Sequence, residues 1–149
     1  MRKRFLSTVL VLIMLLSLAP MSALADDTFR SGDFTFVIET GVACVKKYNG
    51  SSSSVSVPSK VDYDGVTYKV RNIHQDAFKN CTTIQKLVLP ETVNRIGKQA
   101  FANCTSLNSI TINGDLNGVY TVDNTFYNIG ANSDYLNVTF GPEVTAIPS

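Results

Sequence analysis

Residues 100–112 read AFANCTSLNSITI and repeat the pattern of residues 77–89, AFKNCTTIQKLVL, at a spacing of 23 residues. The two copies share an apolar side chain at five spaced positions. The matched pairs are Ala77 with Ala100, Phe78 with Phe101, Ile84 with Leu107, Leu87 with Ile110, and Leu89 with Ile112. Between these positions the residues differ freely, and Gln85-Lys86 becomes Asn108-Ser109. This pattern indicates a constant interior beneath a variable surface.

A third copy follows downstream with insertions. Val138 and Phe140 occupy the places of Ile110 and Ile112 after a further 28 residues. Its other matched positions, shifted by a longer turn at 114–118 and by residues 130–134, are Phe126, Asn128, Val144 and Ile147. The repeat positions predicted to be interior therefore recur even though the units differ in length.

A further, degenerate copy lies upstream of these three. VSVP at residues 55–58 resembles LVLP at residues 87–90, and a predicted hairpin follows it, with Asp64-Gly65 as a favoured two-residue turn. A period of roughly 20–29 residues predicts an array of stacked units, because no single unit is large enough to bury its own apolar face.

Each unit, which we call a coil, is predicted to contain one short strand and one helical turn. Leu87 and Leu89 are two residues apart, as the inward residues of a strand are. Pro90 ends that strand, since proline has no N–H to donate. Residues 76–83 predict one helical or 3₁₀ turn, held by packing because a single turn is marginal in water. Stacking then places Phe78 over Phe101.

The pattern Ile-x-x-x-Ala-Phe-x-Asn-Cys, which starts at Ile73 and again at Ile96, resembles the BspA-like leucine-rich repeat of secreted and surface proteins of gut and oral bacteria. The resemblance runs from Val55 to the C-terminus and is strong over residues 70–112. In the third unit Ile129 stands in place of the cysteine and Tyr135 in place of the following leucine. The resemblance implies a curved leucine-rich-repeat solenoid that contacts protein or glycan, performs no catalysis and needs no cofactor.

The sequence divides into three predicted segments. Residues 1–25 are predicted to be a signal peptide, with a basic start, a 14-residue apolar run at 5–18 and the small residues of Ala23-Leu-Ala25 at the cleavage point. A retained membrane anchor is the alternative, although a spanning helix needs about 20 apolar residues. Residues 26–54 resemble the strand pair that often precedes such arrays. Residues 55–149 form about three repeats, the last one incomplete.

These segments predict a bacterial protein that is secreted or displayed at the cell surface. Removal of residues 1–25 leaves ten basic and twelve acidic side chains, a balance with no electrostatic footprint for nucleic acid. No membrane insertion is expected after cleavage. VTAIPS at residues 144–149 begins another coil and stops, so we expect further repeats beyond Ser149 or a capping partner.

Few side chains are of the kind that carries chemistry. Cys81 and Cys104 share one repeat position, where a strand spacing of about 4.8 Å permits a disulfide but parallel side chains favour two buried thiols. His74 stands alone at a predicted exposed turn, so neither a metal site nor a nucleophile–base pair is predicted. Asn80 and Asn103, both in Asn-x-Thr sequences, are predicted to hydrogen-bond turn backbone, with glycosylation as the alternative.

The outward positions of the predicted strands are the candidate binding surface, because repeat proteins usually bind through a row of variable residues on a rigid sheet. They are Gln85, Lys86, Val88, Asn108, Ser109, Thr111, Asn137 and Thr139. The hypothesis is adhesion to, or recognition of, a protein or a glycan. Two alternatives stay open: a structural spacer that projects another module, and a surface that is merely solvated.

Overall fold

The computed structural model describes residues 28–116, 118–119, 125–142 and 144. Residues 1–25, the predicted signal peptide, and Ile147 lie outside this part of the chain. Within the described residues the secondary structure consists of eleven strands. They are β1 (Thr28–Ser31), β2 (Phe34–Glu39), β3 (Val42–Tyr48), β4 (Ser54–Ser56), β5 (Lys60–Tyr63), β6 (Val66–Ile73), β7 (Lys86–Leu89), β8 (Arg95–Ile96), β9 (Ser109–Ile112), β10 (Gly118–Val119) and β11 (Asn137–Phe140).

Four strands from successive coils form a parallel sheet in the order β11-β9-β7-β4, which we call the repeat sheet. Its register aligns equivalent repeat positions, so that Val55, Leu87, Ile110 and Val138 form one row across the sheet. Along β7 and along β9, successive residues alternate between buried and more exposed, as the Leu-x-Leu pattern predicts. The predicted strands are therefore confirmed, but Val138 and Phe140 of β11, which were predicted to face the interior, are 46% and 41% exposed.

The remaining strands form a larger sheet in the order β1-β2-β3-β6-β8-β10, with β5 paired to β6. Strand β2 is antiparallel to both β1 and β3, whereas β3, β6, β8 and β10 are parallel. The predicted hairpin is present, because Tyr63 pairs with Val66 and leaves Asp64 and Gly65 as its two-residue turn. Both turn residues have a positive φ, 50° and 74°, as a type I′ turn requires.

The helical turn expected at residues 76–83 is absent, and the structure has a series of tight turns there. Asp76 and Asn80 have φ values of 59° and 63°, which interrupt any right-handed helix. The backbone donors are also used elsewhere: the N–H of Phe78 donates to Ala100 O at 2.8 Å, and that of Asn80 donates to Ala102 O at 2.9 Å. Alternate donors therefore bond to the next coil, while those of Lys79 and Cys81 close tight turns to Asp76 O and Phe78 O.

The interior lies between the two sheets, and a single buried cluster joins residues from both. Aromatic rings run through it in the order Tyr48, Phe78, Phe101 and Phe126, with centroids 5.6, 5.3 and 5.7 Å apart. The predicted stacking of Phe78 on Phe101 is confirmed, and both side chains are fully buried. Burial is weaker in the third coil, where Phe126 is 37% exposed.

Candidate functional site

The structure brings the eight predicted surface residues onto neighbouring strands. Lys86, Ser109 and Asn137 form one row across β7, β9 and β11, and Val88, Thr111 and Thr139 form the next. Gln85 and Asn108 directly precede β7 and β9 and are linked by the bond from Asn108 N to Gln85 O, 2.9 Å. We call this set of eight residues the outer strand face.

The outer strand face is exposed at its edges and half-buried in the middle. Gln85, Lys86, Asn137 and Thr139 are exposed, whereas Val88 and the three candidate residues of 108–111 are half-buried. Lys86 is the only charged side chain among the eight. The face can therefore offer hydroxyl and amide groups in fixed rows, and it can donate and accept hydrogen bonds with little net charge.

Sequence reasoning missed the fourth strand of this surface. Ser54 and Ser56 of β4 pair with Lys86 and Val88, so both rows continue by one residue. The signal was present in the match of VSVP, residues 55–58, to LVLP, residues 87–90, since the residues beside the matched valines fall on the outward side.

A polar cavity of about 330 Å³ opens beside the outer strand face, where the strands of the repeat sheet begin. Three successive coils line it: the first contributes Gln85, the second Ser106 and Asn108, and the third residues 132–135. Only Gln85 and Asn108 of this lining were predicted. The third contribution comes from the segment that lengthens the last unit, and an inserted polar loop beside a binding face was the signal that sequence reasoning passed over.

Hydrogen bonds attach the inserted loop to the second coil. Gly130 N donates to Cys104 O at 3.0 Å, and Asn132 N donates to Thr105 O at 2.8 Å. The Asn132 side chain also donates from Nδ2 to Thr105 Oγ1 at 3.1 Å, and Ser133 Oγ donates to Ser106 O at 3.3 Å. These bonds hold one wall of the cavity against the other.

The prediction that the Asn80 and Asn103 side chains hydrogen-bond turn backbone was wrong. Asn103 Nδ2 donates to Asn80 Oδ1 at 2.9 Å, and Asn128 Nδ2 donates to Asn103 Oδ1 at 3.2 Å. The three residues have positive φ values of 63°, 61° and 55°, a conformation that asparagine tolerates better than most residues. Their amides bond to one another rather than to turn backbone because stacking places equivalent residues side by side.

The three cysteines are free thiols. Cys44 and Cys104 are buried, and Cys104 Sγ donates to Phe78 O at 3.1 Å, whereas Cys81 is half-buried. Burial raises the pKa of Cys44 to about 11 and that of Cys104 to about 12, and it also raises the pKa of Cys81. All three are therefore neutral thiols near pH 7, the form that is poorly nucleophilic.

Accessibility should separate the three thiols in a labelling experiment. With a maleimide near neutral pH, we expect Cys81 to be modified first, and Cys44 and Cys104 to react about tenfold or more slowly, because they must await local opening. Mass spectrometry of timed samples measures this, and Cys81→Ser should remove the fast phase alone. Equal rates at all three sites in the folded protein would contradict the burial described above.

Other ionisable side chains are dispersed. His74 is exposed, as predicted, and its Nδ1 lies 3.4 Å from Gln75 O. Asp62 accepts a hydrogen bond from Thr67 Oγ1 within the hairpin. Across the described residues, no three His, Cys, Asp or Glu side chains are grouped closely enough to hold a metal ion. The search for membrane-spanning helices, made over the same part of the chain, found no helix of sufficient length and apolar character.

Parallel strands that recur once in each coil, with their apolar residues in shared rows, are characteristic of a leucine-rich repeat protein. The model of the BspA type leucine rich repeat region, with six copies, matches residues 48–149. The chain therefore belongs to the BspA-type leucine-rich repeat family.

Solved structures agree with this assignment. The chain is similar to a leucine rich cell surface protein from Faecalibacterium prausnitzii, with 31% identity and a TM-score of 0.55 over 57% of this chain and 23% of that protein. It is similar to a leucine-rich repeat protein from Bacteroides capillosus, with 27% identity and a TM-score of 0.56 over 76% of this chain and 97% of that one.

A leucine-rich repeat protein from Bacteroides ovatus matches with 31% identity and a TM-score of 0.52, over 59% of this chain and 24% of the other. The matched region thus spans about a quarter of the F. prausnitzii and B. ovatus proteins. The search of curated proteins found no match.

Proposed function

We propose that this chain is a non-catalytic leucine-rich-repeat solenoid domain of a secreted or cell-surface protein, and that it binds a protein or glycan ligand through the outer strand face. One observation carries the proposal: four in-register strands hold their outward side chains in two continuous rows, and six of these eight side chains are small and polar. Neighbouring side chains within a row lie on adjacent strands about 4.8 Å apart, so a ligand meets donors and acceptors at a fixed spacing. A preorganised surface of this kind loses little conformational entropy on binding.

Secretion belongs to the same proposal. The basic start, the apolar run at residues 5–18 and Ala23-Leu-Ala25 support a signal peptide at residues 1–25. The similar F. prausnitzii protein is described as a cell surface protein, which supports the same location for this chain. The proposed division is then a cap at residues 26–54 and repeats at residues 55–149.

A second candidate function is that of a structural spacer or an accessory module of a longer surface protein. The outer strand face favours it in one respect, because its eight residues contain no aromatic side chain and few of the anchors that dominate interface energy. The exposed Val138 and Phe140 of β11 also favour it, because further repeats of the same kind would cover them.

The test of the binding function is a triple substitution on the outer strand face. The purified protein is first screened against immobilised neutral and anionic glycans and immobilised extracellular proteins. Lys86→Ala, Asn108→Ala and Thr111→Ala together should weaken the binding found by about tenfold or more, because central interface positions together contribute on the order of 1–2 kcal/mol. Biolayer interferometry measures the dissociation constant, and thermal unfolding confirms that the fold is retained.

The matched control replaces the same residue types away from the outer strand face: Lys69→Ala and Thr67→Ala in β6 are combined with Asn94→Ala, which directly precedes β8. Lys69 is exposed, as Lys86 is, and Asn94 is half-buried, as Asn108 is. Thr67 is exposed. The control should bind as the original chain does. Equal affinity of both triple variants would remove the proposed face, and the absence of any bound ligand in the screen would favour the spacer.

A further inference from the structure

Tyr135 occupies a position that is part of the interior in the other coils. Its counterparts Ile84 and Leu107 are 1% and 0% exposed, whereas Tyr135 is 66% exposed. Leu136, the next residue, packs against the buried cluster in its place. In the third coil the interior residue is therefore one position later, at Leu136. The Tyr135 ring is left in solvent at the edge of the polar cavity.

The cavity beside this ring has the groups that recognise hydroxyls. Gln85, Asn108 and Asn132 contribute amides, each with donors and an acceptor on one planar group. Ser106 and Ser133 contribute hydroxyls, and Asp134 contributes a carboxylate that accepts strong hydrogen bonds from O–H donors. The lining therefore combines donors and acceptors with one negative charge, and it contains no lysine or arginine.

We propose that this cavity binds a neutral saccharide of one or two pyranose rings, a ligand class that rests on the proposed binding function of the adjoining strand face. The Tyr135 ring packs against the C–H face of a sugar, and the amides of Gln85 and Asn108 bond to adjacent hydroxyls. The volume of about 330 Å³ lies at the small end of ligand cavities, which suits a short saccharide rather than a protein loop.

The charge of the cavity selects between sugars. Asp134 faces the ligand without a cationic neighbour in the lining, so a sialic or uronic acid would place a carboxylate beside a carboxylate. The preferred ligands are uncharged hexoses and N-acetylhexosamines. The loop that carries Asp134 and Tyr135 is fixed by its bonds to Thr105 and Ser106, so the site is formed before the ligand arrives.

The test is a titration of the ¹⁵N-labelled protein, followed by NMR, with galactose, mannose, N-acetylglucosamine and N-acetylneuraminic acid as separate probes. At least one neutral sugar should shift the amide signals of residues 106–108 and 132–135, with a dissociation constant on the order of 1 mM. N-acetylneuraminic acid should bind about tenfold more weakly or not at all.

Three variants isolate the role of the ring. Tyr135→Ala should weaken the binding of the neutral sugar by about tenfold, and Tyr135→Phe should retain most of it because the packing face is kept. Tyr127→Ala is the matched control: Tyr127 is 62% exposed in the same coil but does not line the cavity, so its loss should leave the affinity unchanged. An equal loss in Tyr135→Ala and Tyr127→Ala would overturn the site.

The outcomes separate this site from the function of the strand face. If no neutral sugar shifts the signals of the cavity while the triple substitution still weakens the binding of a protein ligand, the saccharide site is wrong and the strand face stands. If a neutral sugar binds and Tyr135→Ala weakens it, the site is supported even when the triple substitution affects no protein ligand. If neither the probes nor the screened ligands bind, both are overturned.

Discussion

Phe101→Ala is expected to lower the free energy of unfolding by about 3–5 kcal/mol, among the largest effects of any single truncation in this chain. The Phe101 ring is fully buried, and it lies 5.3 Å from the ring of Phe78 and 5.7 Å from that of Phe126. Its removal leaves a cavity in the middle of the ring series and takes a partner from both neighbours. Because stacked coils stabilise one another, the loss affects the first and third coils as well.

Phe126→Ala provides the comparison, since Phe126 occupies the equivalent position one coil later but is 37% exposed. We expect it to cost about 1–2 kcal/mol, because less apolar surface is returned to water. Urea unfolding followed by circular dichroism measures both variants. Similar losses in the two would show that the third coil is as well buried as the second, contrary to the structure.

Gly114→Ala is the second substitution with a large expected effect, about 3 kcal/mol or more. A methyl group on Gly114 would overlap the carbonyl oxygen of Val93 and lie 3.1 Å from that of Pro90. Both obstacles are backbone atoms of the preceding coil, so they cannot move aside as a flexible side chain can. The stacked turns would have to separate, and the parallel pairing of β9 with β7 ends immediately before this point.

Gly32→Ala is the control for Gly114→Ala, because the two glycines are required for different reasons. Gly32 has a φ of 58° with no atom near its missing Cβ, so an alanine there meets only local strain of about 1–2 kcal/mol. Thermal and urea unfolding of the two variants should rank Gly114→Ala as clearly the more damaging. The reverse order would mean that the coils are spaced more widely than described.

The apolar rows of the fold were predictable because stacking imposes the same requirement on every coil. Ile110 and Ile112 had to match Leu87 and Leu89, and that match was visible without coordinates. The turns were not predictable in the same way. Residues 76–83 have the composition of a helical turn, but positive φ at Asp76 and the bonds to the following coil, which depend on three-dimensional neighbours, exclude the helix.

The candidate site likewise has one part that was predictable from the sequence and one part that was not. Alternation along the strands identified the outer strand face, since outward residues follow from inward ones. The cavity depends on the path of the inserted loop, which is set by hydrogen bonds to Thr105 and Ser106 that no sequence period encodes. Tyr135 was visible as a departure from the repeat, but its exposure follows from the packing of Leu136, which only the structure shows.

The bonds between turns make the resistance of this molecule to unfolding directional. Phe101 N donates to Thr125 O and Asn103 N to Tyr127 O, as the amides of the first coil donate to the second. Loss of the outermost coil thus leaves the backbone N–H groups of the coil beneath it without acceptors, so that coil is expected to unfold next. Within the described residues, unfolding is therefore expected to begin at the β11 edge and to advance toward β1–β3, where β2 is paired on both sides.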